Sequence, residues 1–316
     1  MSFKSKYVLL SFTLTLILAF SLVASSRSIA ELENMVDTEM IPEVRQAAAM
    51  ALGEKYKESD MTLSELEEIA TTATRKETRQ ATVPALAQRY ADVTAIGSSA
   101  AAQTQAKELQ GRLMETESAP LKEAMGDALT SFFVAFNING VEGYGVKDLE
   151  KTIEESECGT LKKAAAEALA SIYPNSKGAD ELETMIKETE SELIKEAAAK
   201  ALALLYSSPM SPVLSVEDLQ KMATDEDLGQ WMRKAAGMAF GKLADQEMTI
   251  AELETLAKNP PTPQLGMGAS AALARALKES DKTENELLNM IAPVSGVGSS
   301  YYREALVQAL ADRFAL

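Results

Sequence analysis

A chain of 316 residues with 46% apolar content can bury a large core, but aromatics supply only 5% and Ala, Leu, Glu and Lys fill much of the rest, the usage of all-helical proteins rather than sheets. The formal charge of -16, two units more negative if Lys4 and Lys6 leave with a leader, repels phosphate backbones and excludes nucleic acid as the expected partner. There is no His, and Cys158 is the only Cys, which removes imidazole and thiolate metal sites, Ser-His-Asp and Cys-His nucleophile systems and paired redox cysteines.

Residues 1–26 read as a leader. Lys4 and Lys6 precede an uncharged run from Tyr7 to Ala24, then small residues, the order of a secretory signal. The rival reading is an uncleaved membrane anchor through residues 7–24, at the lower limit of length for a span. Either way residues 27–316 are expected outside the cytoplasm: periplasmic, on the cell surface or secreted.

After the leader, a short amphipathic segment recurs around Leu32, Leu66, Leu109, Leu149, Leu182, Leu219, Leu253 and Leu287. The residue before each of these leucines is acidic, and Ser28, Thr62, Ser215, Thr249 and Thr283 stand three residues before that acid. This is the capping-box arrangement, so the acids mark helix starts and have a structural task already.

A second helix follows each first one, in register on Leu52, Leu86, Leu129, Leu169, Leu202, Phe240, Leu273 and Leu310, each preceded by Ala. Seven residues earlier stands a base (Arg45, Arg79, Lys122, Lys162, Lys195, Arg233, Arg303), with Gly266 as the exception. Small residues three before and one after the anchor, among them Gly126, Gly237, Gly53 and Gly241, permit close helix approach. A period of this size marks a helical repeat array, in which stacking supplies the core that one repeat cannot bury alone.

The segments PEVRQAAAMAL (Pro42 to Leu52), LIKEAAAKALALLY and LKKAAAEALASIY resemble short HEAT-like repeats, of the kind also seen in phycobilisome-lyase-type arrays. The resemblance covers residues 28–316. It implies an all-α fold, an α-solenoid of about eight two-helix repeats forming one domain over 27–316, in which the repeated base pairs with an acid or with carbonyls near the inter-helix turn. It implies nothing about chemistry.

Inserts interrupt the spacing at 91–104, 137–145, 207–212 and 292–300. Neither Gly-rich one carries a phosphate-binding pattern, so both read as connections. Pro84 should kink the second helix of its repeat.

The second helices of such arrays line the concave surface. Positions six before, two before and two after the anchor share one outward face. That stripe is acidic or neutral early and turns basic and thioether-rich in the sixth and seventh repeats, at Lys234, Met238, Lys242, Met267 and Arg275, with Trp231 beside them. These six residues are the candidate partner-binding patch, since Trp and Arg are enriched in binding hot spots; the plainer role for Trp231 is to fill a gap between repeats. The chain stops at Phe314–Leu316 with no polar capping helix, so Tyr301, Phe314 and Leu316 are expected to support self-association, making a homo-oligomer possible. The expected function is a non-enzymatic scaffold that binds a protein or peptide, without cofactor or metal. The alternatives are a structural subunit that stacks through its last helix and, less favoured, a lyase or enzyme accessory.

Overall fold

The capping boxes form as the spacing implies. In the computed structural model, which describes residues 27–91, 100–208, 214–291 and 300–316, the side chains of Ser28, Thr62, Ser215, Thr249 and Thr283 accept from the backbone N–H of Glu31, Glu65, Asp218, Glu252 and Glu286, whose carboxylates accept in return from the cap backbone. Where the cap is Gly145 or Gly178, the carboxylates of Asp148 and Glu181 still accept from its N–H.

These caps open a set of 16 helices packed in sequential pairs, with no strand among the described residues. The pairs are α1 (Ile29–Thr38) with α2 (Pro42–Glu58), and α3 (Leu63–Thr72) with α4, which is in two pieces, Lys76–Ala81 and Val83–Ala91. Then follow α5 (Ala100–Glu115) with α6 (Ala119–Ile138), α7 (Val146–Glu155) with α8 (Gly159–Ser176), and α9 (Ala179–Glu188) with α10 (Glu192–Tyr206). The last three are α11 (Val216–Thr224) with α12 (Gln230–Glu247), α13 (Ile250–Lys258) with α14 (Pro263–Glu279), and α15 (Glu284–Ile291) with α16 (Ser300–Ala315). The break in α4 falls at Thr82, two residues before Pro84, whose ring cannot sit against the carbonyl four residues back.

Each even-numbered helix packs against the even-numbered helix on either side, and its odd-numbered partner lies against it. The anchors named above are fully buried between them, together with the alanines that precede them. Of the odd helices, none packs extensively against another, which places them on the outside of the even ones.

The sequence leads one to expect an array with two free ends, and here the structure differs. Helix α16 packs against α2 as fully as it does against α14, so the contacts among the eight even helices close on themselves. Phe314, expected at a bare end, is 1% exposed, and the Arg27 guanidinium lies 4.9 Å from its ring centroid. The last repeat is capped by the first one.

Closure uses the same contact that joins ordinary neighbours. Arg45 of the first repeat donates to Glu77 of the second at 3.0 Å. Arg303 of the eighth, at the same register position as Arg45, donates to Glu43 of the first, which stands at the position of Glu77, at 3.4 Å. Arg27 adds a second pair to Glu284 at 2.6 Å.

Three of the repeated bases act at the inter-helix turns. Arg79 donates to the carbonyls of Ala73 (2.7 Å) and Thr74, Arg45 to that of Glu39, and Lys162 to that of Glu154, all at or near the carbonyl-rich end of the preceding outer helix. Lys195 instead pairs with Glu192 at 2.8 Å. Gly266 lacks the base because the ring of Tyr301 lies over it; a Cβ there would stand 2.5 Å from Tyr301 Cδ2.

The insert at 137–145 is a packed turn rather than a bare connection. Gly140 and Gly143 adopt positive φ, Asn137 donates to the carbonyl of Tyr144, and the Tyr144 ring lies 4.8 Å from Phe136 and 5.7 Å from Phe133. The leader, including residues 7–24, lies outside the described residues, as do most of the other three inserts. No described helix is long and apolar enough to cross a membrane.

Candidate functional site

Positions six before, two before and two after each anchor are the ones the even helices leave accessible. Gln46, Glu54, Glu123, Asp127, Ser131, Lys163, Glu167, Ser171 and Glu304 are exposed, and Lys200, Lys234 and Met238 are half-buried. With the odd helices outside and the neighbours on either flank, this face points toward the middle of the closed circuit.

Side chains on this face reach from one repeat to the next. Gln80 donates to Glu123 at 2.5 Å; Lys200 pairs with Glu167 across the repeat boundary and with Glu196 at 3.4 Å; Lys234 pairs with Glu196 at 3.0 Å and stands 4.6 Å from the Trp231 ring centroid. Partial burial pushes the Glu196 carboxyl up, but the hydrogen bonds and charges of Lys234 and Lys200 together outweigh it and hold it below the usual range. Among the described residues no such cation pairs with Asp127. Although the residue as a whole is exposed, the atoms packed around its carboxyl strip it of much of its water and, with Glu123 and Glu167 beside it, push its pKa up to about 6.

The six residues of the sequence-derived patch separate into two groups. Trp231, Lys234 and Arg275 are engaged within the fold. Trp231 donates its indole N–H to Glu192 of the preceding repeat at 3.1 Å, and Arg275 donates to both carboxylate oxygens of Asp245 (2.6 and 3.0 Å) and to the Gly241 carbonyl. Met238, Lys242 and Met267 stay available. Lys242 is exposed with no hydrogen bond or ion pair to the described residues, and Met267 is 38% exposed. Trp231 and Lys242 lie eleven residues apart on one helix, about 16 Å, too far to form one compact hot spot.

The position of Trp231, nine before the anchor, is an inter-repeat contact in other repeats too. Glu43 and Glu77 occupy it and take the ion pairs of the preceding repeat's arginine; Thr160 lies against Gly126, Gln264 against Gly237 and Tyr301 against Gly266. The polar character of Glu43, Glu77, Thr160 and Gln264 makes the position look like surface in the sequence, and that is misleading. Of the expected self-association residues, Tyr301 and Phe314 are used inside the chain, and Leu316 alone is exposed, at 70%.

Sequence reasoning missed one recurring contact. The hydroxyls of Tyr56, Tyr90, Tyr173 and Tyr206 donate to Glu33, Glu67, Glu150 and Glu183 at 2.6 to 2.9 Å, always 23 residues apart. Burial, and then the neighbouring carboxylate, pushes each tyrosine pKa up, so these phenols stay protonated and serve as clamps between the two helices of a repeat. The constant interval was the available signal. In the third repeat, where the tyrosine becomes Phe133, the acid becomes Gln110.

Among the described residues no group of His, Cys, Asp and Glu is placed to hold a metal ion, and Cys158 is a half-buried free thiol at the start of α8. Compared with family models, with curated proteins and with solved structures, the chain gives no match.

Proposed function

We propose that the chain is an exported, non-enzymatic protein-binding scaffold of HEAT-like repeats that holds a protein or peptide on its inner face. The observation that carries this reading is a division of labour along the even helices. Residues that repeat, the anchors, the alanines and the base, are consumed by packing, whereas the accessible stripe differs in every repeat. Where inter-repeat pairs do not claim it, as at Lys242 and Met267, that surface is free to be shaped by a partner. Export rests on Lys4, Lys6 and the uncharged run that follows them. The alternative, a structural subunit that stacks through its last helix, would rely on the exposed Leu316, since α2 packs against the rest of α16.

The test is capture of partners by residues 27–316, then binding of the recovered partner to two variants. Lys242→Glu with Met267→Ala, on the inner face, should weaken binding at least tenfold. Lys221→Glu, on the outer helix α11, should leave it unchanged. Equal affinity for wild type and the inner-face variant would overturn the reading.

A further inference from the structure

The circuit of even helices has eight junctions, and one differs from the other seven. Neighbouring repeats are joined by the chain itself everywhere except between α16 and α2, which the order of the repeats leaves joined through space alone. Breaking an ordinary junction leaves its partners tethered, at high effective concentration, so they re-form at once. At the α16–α2 seam no connecting segment tethers the two sides, and beyond the contact itself only the other seven junctions keep them near each other.

Part of that contact is ionic and reachable by solvent. Arg303 to Glu43 is the longer counterpart of Arg45 to Glu77, 3.4 against 3.0 Å, and the Arg27 and Glu284 side chains are 22% and 29% exposed. The Arg27–Glu284 pair, partly exposed on both sides, is weakened by salt, since at about 1 M the screening length falls to about 3 Å; Arg303–Glu43, whose carboxylate side chain is only 11% exposed, is screened less. A closed circuit of packed helices also leaves no opening between neighbouring even helices through which a folded protein reaches the inner face.

We propose that the α16–α2 seam is a gate: it opens as a unit, without loss of the other seven junctions, and turns the closed circuit into an open array whose inner face a folded protein can reach. That use of the opening rests on the binding function proposed above; the opening itself does not. Once open, the first and eighth repeats become chain ends of the array and fray, as terminal repeats do.

Hydrogen exchange on the full chain tests this without any partner. In about 0.05 M salt, α1, α2, α15 and α16 should be as protected as α7 to α10. In about 1 M salt the four seam-side helices should exchange about tenfold faster while α7 to α10 change little. Arg303→Glu should reproduce that pattern at low salt, and adding Glu43→Arg should restore protection. Arg45→Glu, which breaks the equivalent pair at a tethered junction, should have the smaller effect. The gate is overturned if the seam-side helices keep their protection at high salt, if they lack it at both salt concentrations, or if all repeats lose protection together. Should Arg303→Glu fail to fold, the wild-type salt comparison decides alone.

Discussion

Arg303 meets Glu43 across 260 positions of sequence, in the register that brings Arg45 to Glu77 between neighbours. The eighth repeat therefore treats the first as its successor. In an open array, removing a terminal repeat deletes one interface; in this circuit, removing α16 uncovers both α2 and α14. Deletion of residues 300–316 should therefore yield an associating protein with a broadened thermal transition, whereas the intact chain should run as a monomer in light scattering. A truncated chain that stays monomeric and unfolds sharply would count against closure.

The tyrosine clamps predict a graded series. Tyr56→Phe, Tyr90→Phe, Tyr173→Phe and Tyr206→Phe each remove a hydroxyl that donates to a glutamate, and each should cost about 0.5–1.5 kcal/mol in denaturant unfolding, more toward the upper end because the acceptor is charged. Repeat three, with Phe133 and Gln110, is the natural version of the double change. Tyr56→Phe combined with Glu33→Gln should accordingly cost less than the two single effects added together.

Periodicity made the helices, their caps and the anchors legible, because each depends on residues within one repeat: Thr62 and Glu65, or Ala51 and Leu52, act over a few positions. Closure was not legible. Arg303 and Glu43 carry the ordinary residues of their register positions, and nothing in the spacing says that the succession returns to its start. The binding patch suffered from the same limit. Lys234 and Arg275 read as part of one basic patch, and the spacing within a repeat does not show that their partners, Glu196 and Asp245, sit in the preceding repeat. The position nine before the anchor looked like surface for a related reason: its contacts are made to another repeat, where local hydrophobic patterning has no voice.

Asp127 should set a pH dependence of its own. Its folded pKa of about 6 lies above that of a free carboxylate, so the native state binds this proton more tightly than the unfolded chain does. Its contribution is fully present below the ordinary carboxylate range and is lost as pH rises through about 6. Asp127→Asn should raise the unfolding midpoint at pH 8 and leave it nearly unchanged at pH 4. The gain should be modest, since the carboxylate remains in contact with water.

The capping acids run the other way. Glu31, Glu65 and Glu286 are held below the usual range chiefly by the backbone N–H of the cap residue, Asp218 and Glu252 chiefly by its hydroxyl. With lowered folded pKa values, they stabilise the protein above the ordinary carboxylate range and lose that effect as pH falls through their folded values. Glu65→Gln keeps an acceptor at the helix start but no charge, so its thermal midpoint should sit below wild type at pH 7 and approach it in acid. An offset from wild type that does not vary with pH would show that the carboxylate charge is not what stabilises the cap.

Two glycines give opposite expectations for the same substitution. Gly241 on α12 faces α14 so closely that a Cβ would stand 3.0 Å from both the Cα and the carbonyl oxygen of Gly268. Both contacts are backbone, which cannot swing aside as a side chain can, so Gly241→Ala should push the two helices apart and cost about 1–3 kcal/mol. Gly111 lies in the interior of the exposed helix α5, where a Cβ meets nothing within 4 Å. There the only change is the conformational freedom lost by the unfolded chain and the better helix propensity of alanine, so Gly111→Ala should stabilise by about 0.5–1 kcal/mol. Denaturant midpoints of the two variants, measured side by side, check the packing argument directly. If Gly241→Ala is neutral, α12 and α14 are not in the close backbone contact described here, and the junction between repeats six and seven owes its strength to the side chains around Phe240 and Leu273 instead.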